Sequence, residues 1–322
     1  MSGEKKYVYG PVPSRRLGRS LGVDIVPEKV CTLDCVYCQL GRTTQKTIER
    51  EEYAPVEPII AEVTEILSRS VEADYITMAG SGEPTLNSKL GEIIDKIKNI
   101  SNIPIAVVTN GTLLYRADVR AECAKADVVM PSLDAGDEST FKKINRPHPD
   151  ISIEKLISGL CKFRDEYSGQ IWLEIFLLKG INDNDEQIRQ INTITERIRP
   201  DKIQLNTAVR PTTKKNITKL SFQELKNIAA QLGQNCEVIA DFPLGGEKKE
   251  NLSDISKHDF TDQKHIETLF SMLKRRPCSL NDICSSLNLH QNQVLKYISD
   301  LQQRGAIQSE EIDGIIFFKA LS

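Results

Sequence analysis

The chain has 322 residues, a length for one large domain or for a large domain with a small one. Hydrophobic residues make up 39% and charged residues 27%, and apolar runs such as Ile171 to Leu178, with Glu174 inside it, are too short to cross a bilayer, which excludes a membrane-spanning helix bundle. A net charge of −3 argues against wholesale coating of nucleic acid, although residues 1–50 hold nine Lys/Arg against five Asp/Glu, with Arg15, Arg16 and Arg19 close together.

The segment from Met1 to Lys6 carries no apolar signal, so a cytoplasmic protein is expected, and its eight cysteines are read as metal ligands or core residues rather than a disulfide framework. From about residue 20 to residue 245, short β-branched runs alternate with longer amphipathic stretches, the pattern of strand-helix units around a parallel sheet. The predicted strands are Leu21 to Val26, Tyr75 to Ala79, Ile105 to Thr109, Val128 to Leu133, Ile171 to Leu178 and Lys202 to Thr207, with Glu237 to Ala240 as a seventh. Between them, segments such as Pro58 to Ser68 repeat apolar residues at helical spacing. An open α/β sheet covered on both sides and a closed or partly closed barrel both fit this order. Turn-forming and polar residues cluster after the strands, where parallel α/β folds build their sites.

Residues 245–260 are polar and read as a linker between a domain at 1–244 and a second at 261–322. The second holds three predicted helices, 263–275, 279–287 and 291–304, and then a hairpin over Ala306 to Lys319 turning at Asp313-Gly314. That order resembles a winged helix-turn-helix. Seven Lys/Arg balance seven Asp/Glu there, and Glu310, Glu311 and Asp313 lie on the wing, so weak or absent binding of duplex DNA is expected.

The chemistry is concentrated in Cys31, Cys35 and Cys38, a C-x3-C-x2-C loop after the first strand. Thiols at these intervals can place three sulfurs on one iron-sulfur cube and leave the fourth iron without a local ligand. Structural zinc closes four ligands, and no Cys or His follows until Cys123 and then His148, so zinc needs a distant partner.

The triad with Tyr37 in its aromatic place resembles the signature of the radical S-adenosylmethionine (SAM) superfamily, and the resemblance covers about residues 8–245. It implies a partial (β/α)6-type barrel, a 4Fe-4S cluster on Cys31, Cys35 and Cys38, and S-adenosylmethionine on the unligated iron. Gly80, Ser81, Gly82, Glu83 and Pro84 resemble the superfamily's GGEP-like motif, which lies against the methionyl end of the cofactor. Polar residues at later strand ends are implied to meet its ribose, carboxylate or adenine: Asn110 (with Thr109), Ser132, Asp134 and Asn206. Thr109 and Asn110 also fit as helix caps. The implied reaction is reductive cleavage of S-adenosylmethionine to a 5'-deoxyadenosyl radical that abstracts hydrogen, with an electron donor such as flavodoxin or ferredoxin.

Gly10 to Gly18, Ser132 to Ala135 and Ile144 to Pro147 resemble the group of wyosine-base synthases acting on tRNA, which makes a tRNA base the preferred substrate class. Those synthases carry additional upstream cysteines, and here none precedes Cys31. A peptide or small metabolite is the second substrate class, and a non-catalytic iron-sulfur redox sensor is the reading of another kind. Arg15, Arg16 and Arg19 are the expected RNA phosphate contacts. Cys123, Cys161, Cys236, Cys278 and Cys284, the last two taken as helical, are expected in the core. Glu174 and Arg210 either face the substrate cavity or pair structurally, and His148 is expected to be an exposed loop residue.

Overall fold

The computed structural model describes residues 6–69, 71–212, 217–240, 262–287, 289–312 and 314–321, and the chain divides into two compact units, 1–239 and 240–322. The expected linker at 245–260 and the hairpin-turn residue Asp313 lie outside the described residues.

In the first unit the strands are β1 (Val8–Ser14), β2 (Gly18–Val23), β3 (Val30–Cys31), β4 (Gln45–Lys46), β5 (Tyr75–Met78), β6 (Ile105–Val108), β7 (Val128–Met130), β8 (Gln170–Leu177), β9 (Lys202–Thr207) and β10 (Cys236–Val238). The helices are α1 (Val56–Ser68), α2 (Leu90–Ile100), α3 (Ala117–Cys123), α4 (Glu138–Asn145), α5 (Ile153–Glu166), α6 (Asp185–Ile198) and α7 (Phe222–Leu232), with one 3-10 turn at Pro84–Leu86. Their starts are chemically marked. Asp137, Ser152 and Asn184 each accept a main-chain N–H from the first turn of α4, α5 and α6, and Ser221 with Glu224 forms a capping box on α7. Apolar residues at helical spacing, such as Ile188, Ile191, Ile194 and Ile198 of α6, make up most of the buried face, which Gln187 and Thr195 complete.

Eight strands form one sheet in the order β1-β2-β5-β6-β7-β8-β9-β10. Every neighbouring pair from β2 to β10 is parallel, and β1 joins the edge antiparallel to β2. In a flat sheet β2 and β8 would stand roughly 19 Å apart, four strand spacings. Yet Arg16, in the turn between β1 and β2, reaches Glu174 of β8 with Nη1 3.0 Å from Oε2, and Leu17 packs with Ala106, Val128, Met130 and Trp172. The sheet therefore curls toward the face that carries these residues. No pair closes β10 onto β1 among the described residues, so the α/β fold is a partial barrel, as the resemblance implies.

Of the β1-β2 hairpin only β2 was predicted, as Leu21 to Val26; β1 was not. The hairpin tip is built locally, with Ser14 Oγ accepting the N–H groups of Arg16 and Leu17 at 3.3 and 3.2 Å. The predicted Leu21 to Val26 shifts to Gly18–Val23, and Val128 to Leu133 stops at Met130 because Pro131 cannot donate to the ladder.

In the second unit α8 (Asp262–Arg275), β11 (Cys278–Ser279), α9 (Leu280–Leu287) and α10 (Gln291–Gln303) precede the hairpin β12 (Ile307–Ile312) and β13 (Ile315–Ala320). The sheet order is β11-β13-β12, all antiparallel. Leu269, Met272, Leu273, Ile283, Val294 and Phe317 are among its buried residues. Cys278 is strand rather than helix, a correction, because its short segment pairs across the chain with Phe318.

Candidate active site

Cys31 ends β3, which pairs in parallel with β4, and the loop that carries Cys35 and Cys38 is clasped by the C-terminal end of α4 and the residues just after it. The clasp is main chain to main chain: Asp34 N to Asn145 O at 3.0 Å, Val36 N to Ile144 O at 2.9 Å, and His148 N to Thr32 O at 2.8 Å. His148 is thus a half-buried clasp residue rather than a plainly exposed one. Inside the loop Cys38 N donates to Cys35 O at 3.1 Å, and Val36 is buried with Ile144, Phe176 and Leu178. Thr32 Oγ1 lies 2.7 Å from Thr112 Oγ1, which fixes the loop to the segment after β6.

All three thiols are half-buried, and no disulfide joins any of the eight cysteines. Burial, with the Glu83 charge second, pushes the Cys31 thiol up to about 12, and burial, with Asp134 second, holds Cys35 well above its ordinary value. Metal binding at these sulfurs must therefore expel protons. Zinc-bound thiolates stand about 3.8 Å apart around one ion, given a Zn–S bond of about 2.3 Å and tetrahedral angles. Among the described residues no three His, Cys, Asp or Glu side chains are grouped to hold a single metal ion, whereas a cube spreads its thiolates over separate irons.

Beyond β5, the segment Gly80 to Pro84 is locked to the stretch that leads into Cys31. Ser81 donates through N and Oγ to Asp24 at 3.1 and 2.6 Å, Lys29 N donates to Ser81 O at 2.7 Å, and Glu83 N donates to Val30 O at 3.0 Å. A Cβ on Gly80 would meet Asp24 Cγ at 2.2 Å, and one on Gly82 would meet Val30 O at 2.4 Å, so Gly80 makes room for the Asp24 side chain that Ser81 holds and Gly82 for close backbone approach. The Glu83 carboxylate, 3% exposed, is saturated from within: Oε1 accepts from Thr85 N, Thr85 Oγ1 and Thr109 Oγ1 at 3.1, 2.6 and 2.5 Å, and Oε2 from Asn110 N at 2.8 Å. Burial still raises its pKa, against the lowering effect of these donors.

Asn110 does more than cap. Its Nδ2 lies 2.8 Å from Thr32 Oγ1 and 3.5 Å from Cys31 Sγ. On the other side, Asp134 accepts from Tyr37 Oη at 2.5 Å, Asn145 Nδ2 at 2.7 Å and Phe176 N at 2.9 Å, and the same Asn145 Nδ2 is 3.4 Å from Cys35 Sγ. The Tyr37 ring stacks on Phe176 with centroids 3.9 Å apart. Burial pushes Asp134 from 3.8 up to about 6. Because the folded chain then holds this proton more tightly than the unfolded one, its contribution to stability is present below about pH 4 and lost as pH rises through 6. The labelled carboxyl carbon of Asp134 should titrate near pH 6 by NMR of the metal-free protein, and Asp134→Asn should flatten the stability profile between pH 4 and 6. Titration at the ordinary 3.8 would mean that solvent reaches the group.

Farther along the curl, Glu174 accepts from Arg16 Nη1 at 3.0 Å and from Asn206 Nδ2 at 2.9 Å, and Ser132 bridges to Glu174 through the backbone. Arg16 is therefore paired inside the barrel, which takes it out of the expected phosphate-binding patch, while Arg19, half exposed, pairs with Glu72 on the surface. Arg210 is buried, as are Cys123 and Cys278, while Cys161, Cys236 and Cys284 are half-buried. Thus Tyr37, Asp134 and the triad come together on one side, Gly80 to Pro84 and Asn110 on the other, and Asn206 and Ser132 around Glu174. Asn145, Asp24, Thr32 and Phe176 were not singled out from sequence. Asn145 lies in the Ile144 to Pro147 stretch, but its partners are about 110 and 11 residues away in sequence.

The model described as the radical SAM superfamily matches residues 25–190. The chain is 38% identical to a Brachyspira hyodysenteriae protein named GTPase Obg over 97% of its own length, and it spans 45% of that relative. It is 34% identical to a UPF0026 protein of Methanocaldococcus jannaschii, covering 96% of this chain and 94% of that one. The solved radical SAM methyltransferase of Sphaerobacter thermophilus shares the fold with a TM-score of 0.51 at 18% identity, over 69% of this chain and 66% of that one. The chain belongs to the radical SAM superfamily, whose enzymes use a 4Fe-4S cluster and S-adenosylmethionine, and within it to the UPF0026 proteins.

Proposed function

We propose that Cys31, Cys35 and Cys38 hold the 4Fe-4S cluster and that the rim formed by Gly80 to Pro84, Asn110, Ser132, Asp134 and Asn206 receives S-adenosylmethionine. The carrying observation is the placement of three half-buried thiols on one clasped loop beside the polar ends of β5, β6 and β7. The residues fit the group, because the donor set is three soft sulfurs on one loop, two of which face side-chain amide donors, and among the described residues no fourth ligand joins them. When bound, cluster and cofactor supply one-electron cleavage and hydrogen abstraction, and a reductant is required. The chain itself orients and shields. Tyr37 stacked on Phe176 fixes the loop, Asp134 with Asn145 and Asn182 fixes the end of β7, and the curled sheet with Leu17 beneath it excludes water from the concave face.

A tRNA base is the substrate class favoured by the wyosine-type resemblance. Arg42, Lys46, Lys142 and Lys143 are exposed on the cysteine loop, β4 and α4, Arg42 and Lys142 in surface ion pairs with Asp34 and Glu138, and they join Arg19 as the phosphate contacts of this reading. Anaerobic incubation with dithionite and S-adenosylmethionine should yield 5'-deoxyadenosine, and filter binding should show salt-sensitive retention of tRNA. Absence of 5'-deoxyadenosine from protein with a full cluster would leave the sensor reading, and absence of tRNA retention would favour a peptide or metabolite.

The second unit, read as a winged-helix-like module, is a docking element with no part in radical generation. Glu310 and Glu311 are exposed on β12, where phosphate would be repelled. A chain ending at Leu244 should form 5'-deoxyadenosine as the full chain does, and the full chain should retain duplex DNA weakly or not at all. Tight, salt-sensitive DNA binding would revive the regulator.

A further inference from the structure

Resting on that placement of the cluster, we propose that Asn110 and Asn145 are positioning residues that set its reduction potential, by donating their carboxamide N–H groups to the sulfurs of Cys31 and Cys35. Their Nδ2 atoms stand 3.5 and 3.4 Å from the two sulfurs, and neither amide can turn its oxygen there instead. Asn110 Oδ1 already accepts from Thr112 N at 3.0 Å and Thr112 Oγ1 at 2.7 Å, so a flip would set donor against donor. For Asn145, a flip would set its oxygen against the Asp134 carboxylate, which Nδ2 now meets at 2.7 Å. Asn145 is 3% exposed and its Oδ1 has no hydrogen-bond partner, so the bonds that hold this orientation all run through Nδ2.

The two sites repeat one plan: a buried carboxylate, an asparagine fixed against it, and a sulfur in front. Glu83 stands behind Asn110 through its main-chain N–H, and Asp134 stands behind Asn145 through Nδ2 itself. The effects oppose each other. A buried negative charge close to a cluster disfavours the arrival of an electron, whereas an N–H directed at a thiolate favours the reduced state, in which sulfur carries more negative charge. The asparagines therefore offset the two carboxylates that rigidify the site.

The test is a redox titration with dithionite, followed by electron paramagnetic resonance, on the anaerobically reconstituted full chain, with iron and sulfide counted first. Asn110→Ala keeps the main-chain bond to Glu83 and the Thr32–Thr112 pair, so it should hold the wild-type complement of iron and sulfide. Its potential, and that of Asn145→Ala, should move to more negative values, and the double variant should move further than either, since the two amides serve different sulfurs. Pulsed resonance on protein labelled with nitrogen-15 asparagine should show a coupling to the reduced cluster that each substitution diminishes. Should Asn145→Ala fail to hold iron, the shift in Asn110→Ala decides. Unchanged potentials in iron-replete variants overturn the inference and leave the cluster assignment standing. A wild-type chain that takes up no iron or sulfide overturns both.

Discussion

Replacing Cys31, Cys35 and Cys38 together by Ala should abolish iron and sulfide uptake, the brown colour of the reconstituted protein and all formation of 5'-deoxyadenosine, while the metal-free fold survives. The loss is complete because thiolates are the only soft ligands that the clasped loop offers, and the neighbouring polar groups, Asp34, Tyr37 and Asn145, are engaged elsewhere. The fold survives because the loop is held by its backbone, by Val36, by Thr32 on Thr112 and by Tyr37 on Phe176, whereas the Cys31 and Cys35 sulfurs receive long N–H contacts of 3.4 to 3.5 Å. Urea unfolding of the metal-free triple variant should thus fall within about 1 kcal/mol of the metal-free wild type. Full iron and sulfide in the triple variant would sink the assignment. A collapsed metal-free fold would show that the thiols pack more than they ligate.

What the sequence reveals and what it hides follows from the range of each interaction. The parallel strands were legible because a strand covered on both faces reads as a near-continuous apolar run, as Ile171, Trp172, Leu173, Ile175, Phe176 and Leu177 do around Glu174 in β8. β1 was not, because Gly10, Pro11 and Pro13 argue against a strand, and only an edge position tolerates prolines that cannot donate. The partner of Arg16 was invisible for a stronger reason. It lies 158 residues away, and the contact exists only because the sheet curls. The triad was legible because its spacing is local chemistry, whereas the amides behind it are brought in by α4 and β6 and leave no local pattern. In the second unit the order of three helices and a hairpin could be read from periodicity, but β11, two residues long, forms only by pairing with β13.

Glu83→Ala should destabilise the first unit by about 2–4 kcal/mol, because it strands the main-chain N–H groups of Thr85 and Asn110 at roughly 1–3 kcal/mol each, partly offset by removal of a buried carboxylate. The hydroxyls of Thr85 and Thr109 can rotate to new acceptors, so they add little. For a domain of this size the melting temperature should fall by roughly 5–10 °C. Glu83→Gln retains one acceptor oxygen and should lose about half as much, since either amide orientation abandons one of the two main-chain donors. S-adenosylmethionine affinity, measured below the melting range, should weaken in the same order, Ala more than Gln. The reason is geometric: both oxygens of Glu83 are already spent on the chain, and it is their release that lets the Gly80 to Pro84 segment and Asn110 drift from Cys31. An Ala variant that melts with the wild type would overturn this reading of Glu83 as an internal knot. An Ala variant of wild-type stability that nonetheless loses the cofactor would place the carboxylate directly on S-adenosylmethionine.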